Sequence, residues 1–380
     1  MRLAIDIGGT FTDIVLENQN KLITKKVLTS IANPEVAVIE GVSELLDENN
    51  ITSSEIKMII HGTTLATNAV IERKGAKTCF ITTEGFRDVL DIGYESRFDQ
   101  YDILIEKTMS LVPRKHRFVI KERTDVNGTI LEPINTETFS NLVQKIKEEG
   151  FKSVGIGFLH SYANSENENI LRNYLLENLP GVEVSISSDV CPEIREYERF
   201  TTTVVNAYIK PLMANYLKKL DNELKIKGFD CPLLLMTSGG TLTNIESACN
   251  NPVRLVESGP AGGAILATSI ADDLNLNKVI SFDMGGTTAK ITIIENKKAI
   301  KAREFEVDRK ARFKKGSGLP LRIPVIEMVE IGAGGGSIAR VNKLEQIITG
   351  PDSAGSFPGP ACYDNGGERP TITDADLVIG

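Results

Sequence analysis

The stretch LAIDIGGTFTDI at residues 3–14 returns as ISFDMGGTTAKI at residues 280–291. The two align without gaps and share Asp, Gly, Gly, Thr and the final Ile, five of twelve positions. Each copy reads as an apolar strand ending in Asp, a two-glycine turn, a Thr and a second apolar strand. The repeat therefore predicts two hairpins of one kind, in a chain of two related halves. The residue types suit an anion. Glycines have no Cβ and let the backbone approach a phosphate closely. Backbone N–H groups of such a turn point at the anion, and the Thr hydroxyl adds a donor. The Asp is an oxygen ligand suited to Mg²⁺, which commonly bridges a protein carboxylate and nucleotide phosphates. A D-x-G-G segment can also be a plain hairpin turn; two copies, each flanked by apolar strands, favour the phosphate reading.

Around these hairpins the chain alternates strand and helix. Residues 34–48 (PEVAVIEGVSELLDE) have Pro at a first helical turn and apolar residues at helical spacing. Met58–Ile60 reads as a buried strand running into His61-Gly62-Thr63-Thr64 and a helix to Arg73, and Cys79–Thr82 as another strand. Residues 86–132 are polar and turn-rich and are expected to form an inserted lobe. Helices are expected at 136–149, 165–178 and 193–227, the last broken or kinked at Pro211, with strands at Ser153–Phe158 and Leu233–Met236. Ser258-Gly259-Pro260-Ala261-Gly262-Gly263 opens an apolar helix over 264–274, and Gly332–Ser337 (GAGGGS) follows a strand. The alternation indicates an α/β fold. The expected domains are residues 1–200, with the lobe near 86–132, and residues 201–380.

Composition narrows the function. The 380 residues carry 43 Lys plus Arg against 51 Asp plus Glu, a net charge of −8, which leaves no electrostatic footprint for nucleic acid or an anionic membrane. No apolar run approaches the roughly 18–20 residues of a transmembrane helix. The five cysteines are widely spaced and form no CxxC pair, as expected of reduced thiols in a cytoplasmic protein. His61, His116 and His160 are too far apart for a local metal pair. His61-Gly62-Thr63-Thr64 suits either a substrate or phosphate contact or a helix-start turn around a satisfied histidine. Ser258 and Gly259 could present a helix N-terminus to an anion or simply allow close packing. Gly334, Gly335, Gly336 and Ser337 could add a third N–H-rich loop, although they lack the P-loop pattern.

The duplicated DxGGT hairpins resemble the phosphate loops of the acetate and sugar kinase, Hsp70 and actin superfamily. The resemblance implies two ribonuclease H-like (actin-like ATPase) domains around a nucleotide cleft. Asp6, Gly8, Gly9, Thr10, Thr12 and Asp13 would serve the nucleotide from one side, and Asp283, Gly285, Gly286, Thr287, Thr288 and Lys290 from the other. ATP and Mg²⁺ are the implied cofactors, with Asp6 and Asp283 on the metal. Lys290 stands where the first copy has Asp13, so the two loops are not chemically equivalent.

A narrower likeness follows from seven blocks in order: DIGGTFTD at 6–13, HGTTLATNAVIERKGA at 61–76, EIREYERFTTTVVNAY at 193–208, SGPAGG at 258–263, DMGGTTAK at 283–290, EIGAGGGSIA at 330–339 and GPDSAGSFPGPACY at 350–363. This set resembles the hydantoinase A and 5-oxoprolinase family, with its N-methylhydantoinase, caprolactamase and acetone carboxylase relatives. Family subunits are usually longer, which makes this chain a truncated product or a reduced paralogue in expectation. Val329 stands where many relatives have a His. The resemblance implies an ATP-dependent subunit that phosphorylates and activates a cyclic amide (a hydantoin, a lactam or 5-oxoproline), working with a hydantoinase B-like partner subunit. Asp6, Asp283 and His61 would be catalytic, and His61, Gly62, Thr63, Thr64, Ser258 and Gly259 would lie on the substrate side. The rival expectations are an acetone carboxylase-like subunit and a reactivase-like ATPase that moves a protein partner.

Overall fold

The repeated hairpin is formed in both places, with the same hydrogen bond at its turn. The computed structural model describes residues 1–8, 11–19, 21–30, 33–95, 97–286, 288–311, 314–355 and 357–380. In the first copy Gly8 N–H donates to Phe11 O at 2.9 Å, and in the second Gly285 N–H donates to Thr288 O at 2.9 Å. The strands pair antiparallel, with Asp6 opposite Asp13 and Asp283 opposite Lys290.

The chain forms two compact units: Met1–Gly259 with Arg303–Val325, and Pro260–Ala302 with Ile326–Gly380. The expected division at residue 200 is therefore displaced to 259/260. The reason is the 31-residue helix Glu196–Ile226, which belongs to the first compact unit. It is lined by buried residues from Phe200 to Leu224 and packs inside the first unit.

The first unit begins with β1 (Arg2–Ile7), β2 (Phe11–Asn18), β3 (Lys21–Leu28), α1 (Pro34–Glu48), β4 (Met58–Thr63) and α2 (Leu65–Ile71). Its six-stranded sheet runs Leu242–Asn244, Leu233–Met236, β4, β1, β2, β3. β1, β4 and Leu233–Met236 are parallel, whereas β2 and β3 are antiparallel additions. This is the ribonuclease H-like order expected from the hairpin, and its last parallel strand arrives only after a long insertion. β3 is an edge strand absent from the sequence reading: its lysines blunt the open edge, so KLITKKVL lacks the apolar look of the core strands.

The insertion builds a second, all-parallel sheet from Glu183–Ile186, Ser153–Gly157, β5 (Thr78–Thr83) and β6 (Arg117–Ile120). The expected lobe at 86–132 is thus partly sheet. β6 has only four residues and starts with a buried Arg117, which bonds both Asp91 carboxylate oxygens at 2.7 Å. Gly157 lets the long helix approach this sheet, since a Cβ there would stand 2.5 Å from the Phe200 ring.

The second unit holds the hairpin Lys278–Met284/Ala289–Glu295, with Met328–Ile331 antiparallel to its second strand. The ribbon Ser337–Val341/Ile347–Ser353 and the helix Ile372–Ile379 follow. Helix Ser258–Asp273 enters this unit at Pro260, and Ala261 and Ala264 pack against Ile326. Among the described residues no helix is long and apolar enough to cross a membrane.

Candidate functional site

Asp6 is the penultimate residue of β1, exposed, and bracketed by three segments distant in sequence. β4 runs beside it in parallel, with Gly62 as its register partner. A Cβ at Gly62 would lie 2.7 Å from Asp6 Oδ1, so only glycine leaves the carboxylate its present place. Gly259 stands on another side, its would-be Cβ 3.6 Å from Oδ1 and 3.9 Å from Oδ2. Thr64 donates both its N–H (3.0 Å) and its hydroxyl (3.1 Å) to Ile7 O, immediately beyond Asp6. Glu257, left-handed at φ 64°, turns the chain so that the Ser258 hydroxyl reaches Thr63 O at 3.1 Å. Strained backbone of this kind is typical where a site is held to shape. Residues 6, 62–64 and 258–259 are thus brought together, and Ser258 and Thr63 are fixed to one another within the scaffold.

His61 is not available to substrate. It is fully buried at 0% exposure, with Nδ1 3.2 Å from Ile5 O and Nε2 2.8 Å from the Tyr216 hydroxyl. A carbonyl can only accept, so Nδ1 carries the proton and Nε2 accepts from Tyr216. Burial, opposed in part by the bond to Ile5 O, lowers the imidazole pKa to about 4. The sign follows from linkage: above pH 6.5 the group is neutral folded or unfolded, and below it the unfolded chain takes up a proton that the folded one refuses. Stability is therefore lost as pH falls from 6.5 toward 4. This one group is expected to remove about 2 kcal/mol between pH 7.5 and 5.0. Urea titrations at the two pH values check it; a His61→Gln protein with the same pH slope as the wild type would contradict it.

Two expected phosphate contacts in the first hairpin are turned elsewhere. Thr12 lies on the buried face of β2 at 0% exposure. Its hydroxyl is 3.0 Å from that of Thr29, which gives its own proton to Gly8 O at 3.0 Å, so Thr12 donates to Thr29. Strand alternation explains this, because Thr12, Ile14 and Leu16 share one face. Asp13 forms an ion pair with Lys26 across β2 and β3, on the surface. Gly8 spends its N–H on the turn. Gly9, Thr10 and Thr287 lie outside the described residues.

In the second unit Asp283 is exposed, and a Cβ at Gly263 would be 4.0 Å from its Oδ2. Lys290, across from Asp283, has Glu330 as its register partner on the other side, an alternation of charge along the sheet. The GAGGGS loop does not present the free donors expected of it. Gly335 N–H donates to Gly285 O (2.9 Å) and Gly336 N–H to Gly286 O (2.7 Å), while Gly334 N–H donates to the Ser337 hydroxyl (2.9 Å). The loop instead buttresses the DxGG turn. Its glycines are required by closeness, since a Cβ at Gly336 would lie 3.0 Å from Gly286 O. Thr288 closes the same turn through its carbonyl. Burial and the nearby Asp374 push the Cys362 thiol pKa up, which disfavours its thiolate.

Tyr216 and Thr29 escaped the sequence reading. Tyr216 is one more large residue on the buried face of a long helix, and nothing local ties it to a histidine 155 positions earlier. Among the described residues no group of three or more His, Cys, Asp or Glu could hold a metal by itself. A single exposed carboxylate beside a glycine fits instead a Mg²⁺ ion whose other ligands would be waters and phosphate oxygens.

Residues 2–179 match the family domain described as hydantoinase/oxoprolinase N-terminal region, and residues 199–380 match the hydantoinase/oxoprolinase domain. An uncharacterised protein of Methanocaldococcus jannaschii is 42% identical across the whole chain, which covers 56% of that relative. Caprolactamase subunit alpha of Pseudomonas jessenii is 33% identical across the whole chain, covering 54% of the subunit. The crystal structure of that ATP-dependent caprolactamase superposes with a TM-score of 0.82 at 31% identity, over 100% of this chain and 54% of the other. Nucleotide-free acetone carboxylase superposes at 0.81 with 26% identity, over 99% of this chain and 54% of the other. The chain thus spans about half the length of these relatives.

Proposed function

The chain belongs to the hydantoinase/oxoprolinase family, and from that premise we propose that it is the ATP-using part of an enzyme that activates a cyclic amide for ring opening. The observation that carries the proposal is the Asp6 carboxylate, exposed at a strand end with Gly62 where any side chain would crowd it. An amide carbonyl is a poor electrophile. Transfer of the γ-phosphoryl group of ATP to its oxygen turns that oxygen into a leaving group and couples ring opening to ATP cleavage. Mg²⁺, when bound with the nucleotide, neutralises charge on the transferring phosphoryl group. Asp6 would hold that ion, and Thr64 and Gly62 would keep Asp6 in place while the reaction runs. Asp283, on the equivalent hairpin of the second unit, is assigned the corresponding phosphate-side role. Magnesium, the ring-shaped substrate and a partner subunit supplying the hydrolytic step are parts of this proposal. Identity favours a cyclic amide over a ketone, being 31% to the caprolactamase and 26% to acetone carboxylase over the two superpositions.

The test is phosphate release from Mg²⁺-ATP by the chain together with its partner subunit. Addition of caprolactam, hydantoin or 5-oxoproline should raise the rate. Stimulation by acetone alone would transfer the reading to carboxylation, and stimulation only by a protein would transfer it to a reactivase. Failure to bind Mg²⁺-ATP would overturn the nucleotide reading altogether.

A further inference from the structure

The segment His61-Gly62-Thr63-Thr64 does three different things to one short piece of β1. Strand alternation puts His61 and Gly62 on opposite faces of β4. On the buried face, His61 Nδ1–H holds the carbonyl of Ile5, the peptide group that leads into Asp6. On the other face, the missing side chain of Gly62 leaves the room in which the Asp6 carboxylate stands. Beyond Asp6, Thr64 holds the carbonyl of Ile7 with two donors. The peptide group that enters Asp6 and the one joining Ile7 to Gly8, the second beyond Asp6, are thus held by β4 and the residue that follows it.

The clamp has a rear support. His61 can present Nδ1–H to Ile5 only if its other nitrogen is satisfied as an acceptor, because an imidazole with an unpaired buried nitrogen would pay the desolvation cost of that atom. The Tyr216 hydroxyl supplies the donor at 2.8 Å. Tyr216 is itself 5% exposed, and its ring lies 5.8 Å from the imidazole, tilted by 52°. It sits on the long helix Glu196–Ile226, which is packed on the second sheet and against α1 and α2 of the first unit and so makes a rigid anchor. Two rotatable side chains are locked in series between that helix and the strand carrying Asp6, and such locking is what holds a reacting group to its working geometry.

We propose that Tyr216 and His61 form a buried hydrogen-bonded strut that positions the Asp6 carboxylate, His61 acting as a positioning residue that never touches substrate. The proposal rests on the ATP-using role assigned above to Asp6. It converts the HGTT segment from a substrate contact into the support of a carboxylate on another strand.

Two substitutions at one position separate positioning from mere stability. Asn at 61 places an N–H close to where Nδ1 stands and can keep the bond to Ile5 O. Gln places its amide close to where Nε2 stands and keeps only the bond to Tyr216. Both variants should lose thermal stability. His61→Asn is expected to retain kcat for Mg²⁺-ATP hydrolysis within about 3-fold, whereas His61→Gln should lose roughly 30-fold with KM for ATP changed less than about 2-fold. Tyr216→Phe should fall between them. Equal kcat in folded His61→Asn and His61→Gln would overturn the strut. Imidazole ¹⁵N spectra and the crystal structure of His61→Gln give readouts that need no turnover. The wild type should show the Nδ1–H tautomer, and the Gln variant a displaced Asp6; an Nε2–H tautomer or an unmoved Asp6 would refute the proposal. A wild type that leaves ATP intact would instead count against the proposed function, with these two readouts still deciding the strut.

Discussion

Asp6→Asn is expected to lower Mg²⁺-ATP turnover by about 10³-fold while the protein folds as before. The substitution keeps the shape of the side chain and removes its charge. Asp6 is exposed, so its replacement opens no cavity, and the apolar residues Leu3, Ile5 and Ile7 on the other face of β1 are untouched. What disappears is an anionic oxygen at the end of a strand, and an amide oxygen binds a hard divalent cation far less well than a carboxylate. Steady-state phosphate release, with a thermal melt on the same sample, separates the two effects. An Asn protein that turns over ATP within a few-fold of the wild type would remove Asp6 from the mechanism. Asp283→Asn applies the same test to the second hairpin, independently of the first.

Gly62→Ala is expected to cost about 10²-fold in turnover for the addition of one methyl group. In an ordinary strand that change is neutral or favourable, because glycine gives the unfolded chain more freedom to lose. Here the new Cβ would stand 2.7 Å from Asp6 Oδ1, well inside van der Waals contact. The backbone of β4 cannot yield, being paired with β1 on one side and Leu233–Met236 on the other. The short Asp6 side chain must rotate away instead, which misplaces the carboxylate without removing it. The distinguishing result is a collapsed kcat with a thermal midpoint near that of the wild type. An unchanged kcat would mean that the carboxylate has no required position, and the cradle would lose its functional meaning.

Much of the architecture was legible in the chain itself. α1 is found over Pro34–Glu48 and the strand Leu233–Met236 over its expected residues, because both are local patterns: a proline start with apolar residues at helical spacing, and a short apolar run. β3 was missed for a physical reason, since an edge strand is selected to look polar. The compact units part at 259/260 and not at residue 200, because a long helix that begins a new block of sequence can still be the core of the preceding unit. At the site, the aspartates and the glycine pairs stand out in the sequence by residue type and repetition. Thr12, His61 and the GAGGGS loop were given the wrong partners, because a hydroxyl, an imidazole or an N–H spent inside the protein looks in sequence like one held out to a ligand.

The sequence by itself determined that two DxGG hairpins would form, that the chain is α/β, and to which family it belongs. These depend on short-range features: side-chain alternation, glycine at turns, and ordered blocks of residues. Only the tertiary structure decided that HGTT lies against Asp6 and that GAGGGS buttresses the second hairpin. It also decided that Tyr216 stands behind His61. Those assignments depend on which donors meet which acceptors across 56 and 155 positions of chain, and that is set by the packing of whole strands and helices. A hydrogen bond buried at such a separation leaves no periodic trace, because each partner's neighbours are chosen for their own element.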